Sequence, residues 1–129
     1  GSKAINLENK IPKDTIINNW PEALRVLMYN ILMNAIKSTE KGAIIISIEQ
    51  SKSGYAIKIT DTGVGMSNSM AKYLVTGKSK DEVEHLPKYK KGNGVGFQII
   101  RNIIKLMKAK LEIDSKENVG TTVSISFLN

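Results

Sequence analysis

The chain has no cysteine, one histidine, one tryptophan, three prolines and only 5% aromatic side chains in 129 residues. Without cysteine there is no disulfide, no thiolate nucleophile and no Cys-built zinc site, which suits a reducing compartment. A lone histidine gives no basis for a dedicated transition-metal site. It is His85, in a lysine-rich stretch with no nucleophile at a telling spacing, and it reads as an exposed loop residue. No apolar run approaches the roughly 18–20 residues that a membrane-crossing helix needs, and the start does not read as a signal peptide. Aromatics at only 5% argue against a stacking platform for nucleic acid. What remains is 41% hydrophobic and 24% charged, the profile of one globular domain that buries roughly two-thirds of its unfolded surface. Gly1-Ser2 reads as a cleavage scar, so the expected domain is 3–129, a piece of a longer chain.

Nineteen basic against twelve acidic residues give a net charge of +7. Such an excess attracts polyanions, whether nucleic acid, anionic lipid or nucleotide phosphates, and charge alone does not choose among them. Lys72, Lys78, Lys80, Lys88, Lys90 and Lys91 fall in one stretch with little apolar sequence.

Hydrophobic period places the elements. Ala4 to Ile11 alternates weakly and reads as an edge strand. From Pro21 to Ser38, Leu24, Leu27, Met28, Ile31, Leu32 and Ala35 recur at three and four, with Pro21 in the first turn and Gly42 following the end. Ala43–Gln50 and Tyr55–Asp61 are β-branched runs joined by Ser51-Lys52-Ser53-Gly54, a hairpin. Ser67 to Val75 reads as a short helix, and Thr76 to Gly92 as a long polar loop. Phe97 to Met107 regains the helical period; Leu111–Asp114 and Thr121–Leu128 close the chain as strands. The fold class is therefore α+β: a two-layer α/β sandwich with helices on one face of a mixed, mostly antiparallel sheet.

Three polar clusters stand outside this pattern. Asn30, Asn34 and Lys37 share a helical stripe about 60° wide. Asn is a mediocre helix former. A carboxamide oxygen suits Mg²⁺ and a lysine one turn on suits phosphate, although a solvated polar strip has the same spacing. Asp61-Thr62-Gly63-Val64-Gly65 ends a strand in which Ile57, Ile59 and Asp61 share parity, so the carboxylate faces the core and needs donors. The exocyclic amino group of a purine would supply one; an Asp-initiated turn is the plainer alternative. Gly92-Asn93-Gly94-Val95-Gly96 runs into a helix, an arrangement fit for an anion or for a hinge. Thr76-Gly77-Lys78-Ser79 imitates the end of a P-loop, but Lys72 stands where that pattern needs glycine. The dinucleotide fingerprint fails because its third glycine would be Phe97.

In this order and with these gaps, the clusters resemble the GHKL superfamily of ATP-binding domains, and most nearly the catalytic and ATP-binding domain of bacterial sensor histidine kinases. Asn30-Ile31-Leu32-Met33-Asn34-Ala35-Ile36-Lys37 is similar to its N box, the Asp61–Gly65 segment to its G1 box, and Gly92–Gly96 to its G2 box. Gly120-Thr121-Thr122 is similar to the element that opens its last strand. The phenylalanine-bearing F box has no match; Tyr73-Leu74-Val75 stands about there. The resemblance implies a Bergerat fold that binds ATP and Mg²⁺. Asn34 would hold the metal with Asn30 assisting, Lys37 would meet phosphate, and Asp61 would read the adenine amino group with support from Thr121. Gly92, Gly94 and Gly96 would wrap the phosphates, with Gly63, Gly65, Met66, Asn93 and Val95 completing the nucleotide contacts.

Hydrolytic members of that superfamily carry glutamate where this chain has Asn30. A carboxamide is not a useful proton acceptor near neutral pH, whereas transfer to an imidazole needs mainly positioning and charge neutralisation. The resemblance thus implies a histidine kinase module. Its partners would be a separate dimerisation and phosphoacceptor domain and a downstream response regulator. The parent would be anchored in the bacterial inner membrane with this domain in the cytoplasm, the fragment itself being monomeric and not a nucleic-acid binder. The alternatives are a serine kinase of the anti-sigma type or a slow ATPase of the same superfamily, or a basic non-enzymatic binding module. Val26, Tyr29 and Met33, on the outer side of the first helix, read either as scattered surface apolars or as a contact with the dimerisation domain.

Overall fold

The computed structural model describes residues 4–15, 17, 20–78 and 94–128, with the backbone alone at 94 and 95. Its elements are β1 (Ala4–Asn9), α1 (Pro21–Ser38), β2 (Lys41–Ser51), β3 (Gly54–Asp61), α2 (Asn68–Thr76), α3 (Gly94–Met107), β4 (Lys110–Lys116) and β5 (Gly120–Leu128). The strands form one sheet in the order β1-β2-β3-β5-β4. β1 runs parallel to β2 and every other pairing is antiparallel. The expected two-layer α+β architecture is the one observed.

Alternation decides which face of the sheet is covered. Ile44 and Ile46 of β2, Ile57 and Ile59 of β3, and Val123, Ile125 and Phe127 of β5 are buried. They pack against Leu27 and Ile31 of α1, Met70 and Leu74 of α2, and Phe97, Ile100 and Ile104 of α3. Fully burying each such side chain contributes roughly 1.5–3 kcal/mol of transfer free energy. The opposite face is polar. There Lys58 Nζ pairs with Glu49 Oε1 at 2.7 Å, and the Thr60 and Thr122 hydroxyls lie 3.1 Å apart. The β4 edge carries exposed Lys110, Glu112, Asp114 and Lys116, charges that discourage pairing with another strand.

The ends of α1 fall where the sequence puts them, at Pro21 and Ser38. Three local expectations are corrected. Gly42 does not close α1: Thr39 is the C-cap, and Gly42 lies inside β2, where a Cβ would strike Thr62 Oγ1. The β2–β3 turn is the pair Lys52-Ser53, because Ser51 and Gly54 are already register partners. α3 begins at Gly94 rather than Phe97, so Gly94 and Gly96 lie within its first turn. A first turn tolerates glycine here because Gly96 abuts α1, as described below.

α2 starts after Ser67, whose hydroxyl accepts the Met70 N–H at 3.2 Å, and ends at Gly77 with φ 69°. That left-handed cap shows why Thr76-Gly77-Lys78 is not a P-loop: it terminates a helix instead of leading into one. Arg101 of α3 fastens this end, donating to the Leu74 carbonyl at 2.8 Å with its guanidinium 5.9 Å from the centre of the Tyr73 ring. Tyr73-Leu74-Val75 is thus the inner part of α2, with Leu74 fully buried.

Candidate functional site

Asp61 is the last residue of β3, paired with Ile44 on one side and Thr121 on the other. It faces the helices, as its parity with Ile57 and Ile59 requires, and is 6% exposed. Its Oδ1 accepts the Gly63 N–H at 2.9 Å. Burial pushes the Asp61 carboxyl above the usual 3.8, and hydrogen bonds from the backbone N–H groups of Gly63 and Thr121 pull it part of the way back.

The loop after Asp61 is held from two sides. The Val64 N–H donates to the Ser38 carbonyl at the end of α1 (3.0 Å), and the Val64 carbonyl accepts from the Asn118 N–H of the β4–β5 turn (2.6 Å). The Met66 N–H donates to Ser115 Oγ at 2.9 Å. Gly63 is pressed against Ser38 and Thr39, and a Cβ there would meet the Ser38 carbonyl oxygen. Gly65 has φ +67°, and a Cβ on it would strike the Lys116 carbonyl. Both glycines are therefore demanded by close packing of backbone, not only by a ligand.

Between this loop and α1 lies a cleft. Ile31, Asn34, Ala35 and Ser38 of α1 form one wall. Ile59, Asp61, Thr121 and Val123 form the floor, and Met66 and Phe97 close it from either side. Its enclosed part is only about 20 Å³, room for about one water molecule, within about 400 Å³ of free space that opens to the outside.

The structure brings Asn34, Asp61, Met66 and Thr121 together on this cleft. Asn34 Nδ2 is buried with no hydrogen-bond partner among the described residues. Its amide lies against α3, where a Cβ on Gly96 would come within 3.2 Å of Nδ2 and 3.5 Å of Oδ1. Asn30 and Lys37 are not among the residues lining the cleft. Asn30 turns its amide back along the helix to the Val26 carbonyl (2.7 Å), and Lys37 is exposed in the last turn. Gly94 and Val95 open α3; Gly92, Asn93 and His85 lie outside the described residues. Among the described residues, no three His, Cys, Asp or Glu side chains group as a metal site.

Residues 20–129 match the family model of histidine kinase-, DNA gyrase B- and HSP90-like ATPases, HATPase_c. The chain belongs to this family. The HATPase_c domain is 27% identical to the sensor protein EvgS of Escherichia coli K12 over 97% of its own length and 11% of that protein. It is 25% identical to the autoinducer 2 sensor kinase/phosphatase LuxQ of Vibrio vulnificus over 95% of its length and 15% of that protein. It thus spans well under a fifth of these relatives. The fold superposes on the mycobacterial sensor histidine kinase MprB with a TM-score of 0.73 at 20% identity, covering 96% of this chain and 81% of that one.

Two residues that organise the HATPase_c cleft escape the motif reading. Phe97 closes it from α3, although by period it reads as one more core position. Ser115 backs its floor, and its signal was alternation: it shares parity with the inward-facing Leu111 and Ile113 on β4. Of the outer stripe on α1, Val26 (44%) and Tyr29 (63%) are exposed, whereas Met33 is half-buried. Among the described residues no helix is long and apolar enough to cross a membrane.

Proposed function

We propose that this domain binds Mg-ATP between α1 and α3 and donates the γ-phosphate to a histidine on a separate dimerisation domain of a longer sensor kinase. The observation that carries the reading is Asp61: a buried carboxylate at the floor of a cleft, with backbone N–H groups on part of its acceptor capacity and the rest available to a donor in the cleft. The amino group of adenine is such a donor. The apolar side chains of Ile31, Ala35, Met66 and Val123 that line the cleft suit a purine face.

Asn34 lines the cleft from α1 and fits the metal reading through its amide oxygen, while its Nδ2 is buried with no hydrogen-bond partner among the described residues. A neutral carboxamide, with no acidic cluster among the described residues, matches Mg²⁺ held by one protein oxygen, with substrate phosphates and water completing its shell. Asn34 would hold the ion, with Asn30 and Lys37 flanking it toward the phosphates, and the ion would supply charge neutralisation at the transferred group. Gly92, Asn93, Gly94, Val95 and Gly96 are assigned to the phosphate side, where Gly94 and Gly96 present the N-terminal turn of α3.

Asn30 supports phosphoryl transfer over hydrolysis, since an amide whose N–H is committed to Val26 does not activate water. The exposed Val26 and Tyr29 are the face assigned to the phosphoacceptor domain. A response regulator downstream and a parent anchored in the inner membrane belong to the same reading.

A thermal-shift titration tests it. Mg-ATP at about a hundred times its Kd stabilises by about 2.7 kcal/mol, a rise on the order of 10 °C for a domain of this size. The shift is expected in the wild type and largely lost in Asp61→Asn, which turns a donor toward the amino group. An equal shift in that variant refutes the adenine assignment.

A further inference from the structure

Ser115 stands on β4 directly across from Thr121 of β5, half-buried behind the cleft floor. Its hydroxyl has three neighbours. It accepts the Met66 N–H at 2.9 Å, lies 3.1 Å from the Gly120 carbonyl oxygen, and lies 2.7 Å from Thr121 Oγ1. A serine hydroxyl has one proton and two lone pairs. The Met66 amide takes one lone pair. A carbonyl oxygen only accepts, so Gly120 takes the proton. The remaining lone pair faces Thr121, whose hydroxyl must then donate. All three contacts are satisfied together only in this arrangement.

The consequence lies on the other side of Thr121, which is 6% exposed and lines the cleft beside Asp61. With its single proton committed to Ser115, the Thr121 hydroxyl offers the cleft lone pairs alone. The Asp61 carboxylate likewise only accepts. We propose that Ser115 is a specificity-determining positioning residue: by fixing Thr121 as an acceptor it makes the cleft floor accept-only, and so favours a 6-amino purine over a 6-oxo purine. The inference rests on the nucleotide reading of the cleft given above. A 6-oxo group brings its own lone pairs against those of Asp61 and Thr121, and no proton in the floor is free to turn toward it. Removing the Ser115 hydroxyl releases the Thr121 proton, which then rotates to meet such a group.

The experiment is isothermal titration of adenosine and inosine diphosphate with Mg²⁺ into the wild type, Ser115→Ala, Ser115→Thr, Thr121→Val and the Ser115→Ala/Thr121→Val double variant. These ligands differ at the 6-position and the adjacent ring nitrogen. The affinity ratio of adenosine over inosine diphosphate is expected to fall about fivefold or more in Ser115→Ala, the worth of one hydrogen bond. Ser115→Thr, which keeps the hydroxyl, restores it. In the Thr121→Val background the same serine change shifts the ratio by less than about twofold, because a residue acting through Thr121 has nothing left to act on. An unchanged ratio in Ser115→Ala, or an equal fall with and without Thr121, overturns the proposal. Should Ser115→Ala fail to fold, Ser115→Cys, near-isosteric and a weak hydrogen-bonding group, gives the same readout. A wild type that binds neither diphosphate overturns the reading of the cleft and this inference with it. A wild type that binds adenosine diphosphate normally confines any failure to Ser115.

Discussion

At the Asp61 end of the cleft the backbone is fixed by the protein itself. The N–H groups of Thr62, Gly63, Val64 and Met66 donate in turn to the Ala43 carbonyl, Asp61 Oδ1, the Ser38 carbonyl and Ser115 Oγ. At the Asn34 end the side-chain amides are placed differently. Asn34 Nδ2 is buried without a partner among the described residues, Asn30 bonds back to its own helix, and Lys37 is an exposed residue of the last turn of α1. The contrast separates two ways of recognising one ligand. On the proposed nucleotide reading, the base would meet a surface whose hydrogen bonds are organised in advance, so little order is lost on binding. On the same proposal the phosphates and their ion would meet Asn34, whose buried, unpaired Nδ2 costs about 1–3 kcal/mol.

That contrast breaks most visibly at Gly65. Its φ of +67° costs an L side chain about 1–2 kcal/mol, and a Cβ would also strike the Lys116 carbonyl. Gly65→Ala is expected to lower stability by about 2–4 kcal/mol, read as a fall in Tm on the order of 10 °C. A variant with unchanged Tm shows that the Asp61 end is not rigidly built.

Titration of Asp61 is the next largest effect. Its folded pKa lies above the usual 3.8, so the folded chain holds the proton more tightly than the unfolded chain. The stability linked to this group is fully present below pH 3.8 and is lost as pH rises through the folded value. The slope in that window is at most about 1.4 kcal/mol per pH unit. Denaturant melts of wild type and Asp61→Asn from pH 3 upward should diverge, the variant gaining on the wild type until the folded pKa is passed. Nucleotide affinity runs the opposite way, falling in acid as the acceptor is protonated. Parallel stability profiles contradict the burial assigned to Asp61.

The smallest stability effect is expected at the other end. Asn34→Ala removes an unsatisfied donor along with some packing, so stability stays within about 1 kcal/mol of the wild type. The part of nucleotide affinity that depends on Mg²⁺ should disappear nonetheless. A large loss of stability, or an undiminished Mg²⁺ dependence, removes the distinction between the two ends.

Much of this was legible before the fold was known. The period of Leu24, Leu27, Met28, Ile31, Leu32 and Ala35 placed α1 to the residue, and the parity of Ile57, Ile59 and Asp61 turned the carboxylate inward. Other features were not legible. The glycines at 94 and 96 read as a loop before a helix, yet they form its first turn, because Gly96 needs only the absence of a Cβ to pack against Asn34. Gly42 read as a helix stop, yet it serves a contact with Thr62, which lies beyond the hairpin.

The sequence by itself determined the elements, the face each one buries and the four motifs in order, because periodicity and local backbone preference act over a few residues and leave their mark in the chain. The tertiary structure alone decided which members of those motifs meet. Pairing of β5 with both β3 and β4 sets Ser115, Thr121 and Asp61 side by side, and packing of α3 on α1 puts Gly96 against Asn34 while Asn30 and Lys37 stay off the cleft lining. Such contacts join residues up to 62 positions apart, and a strand's register or a helix's approach is settled by the whole core rather than by any local pattern.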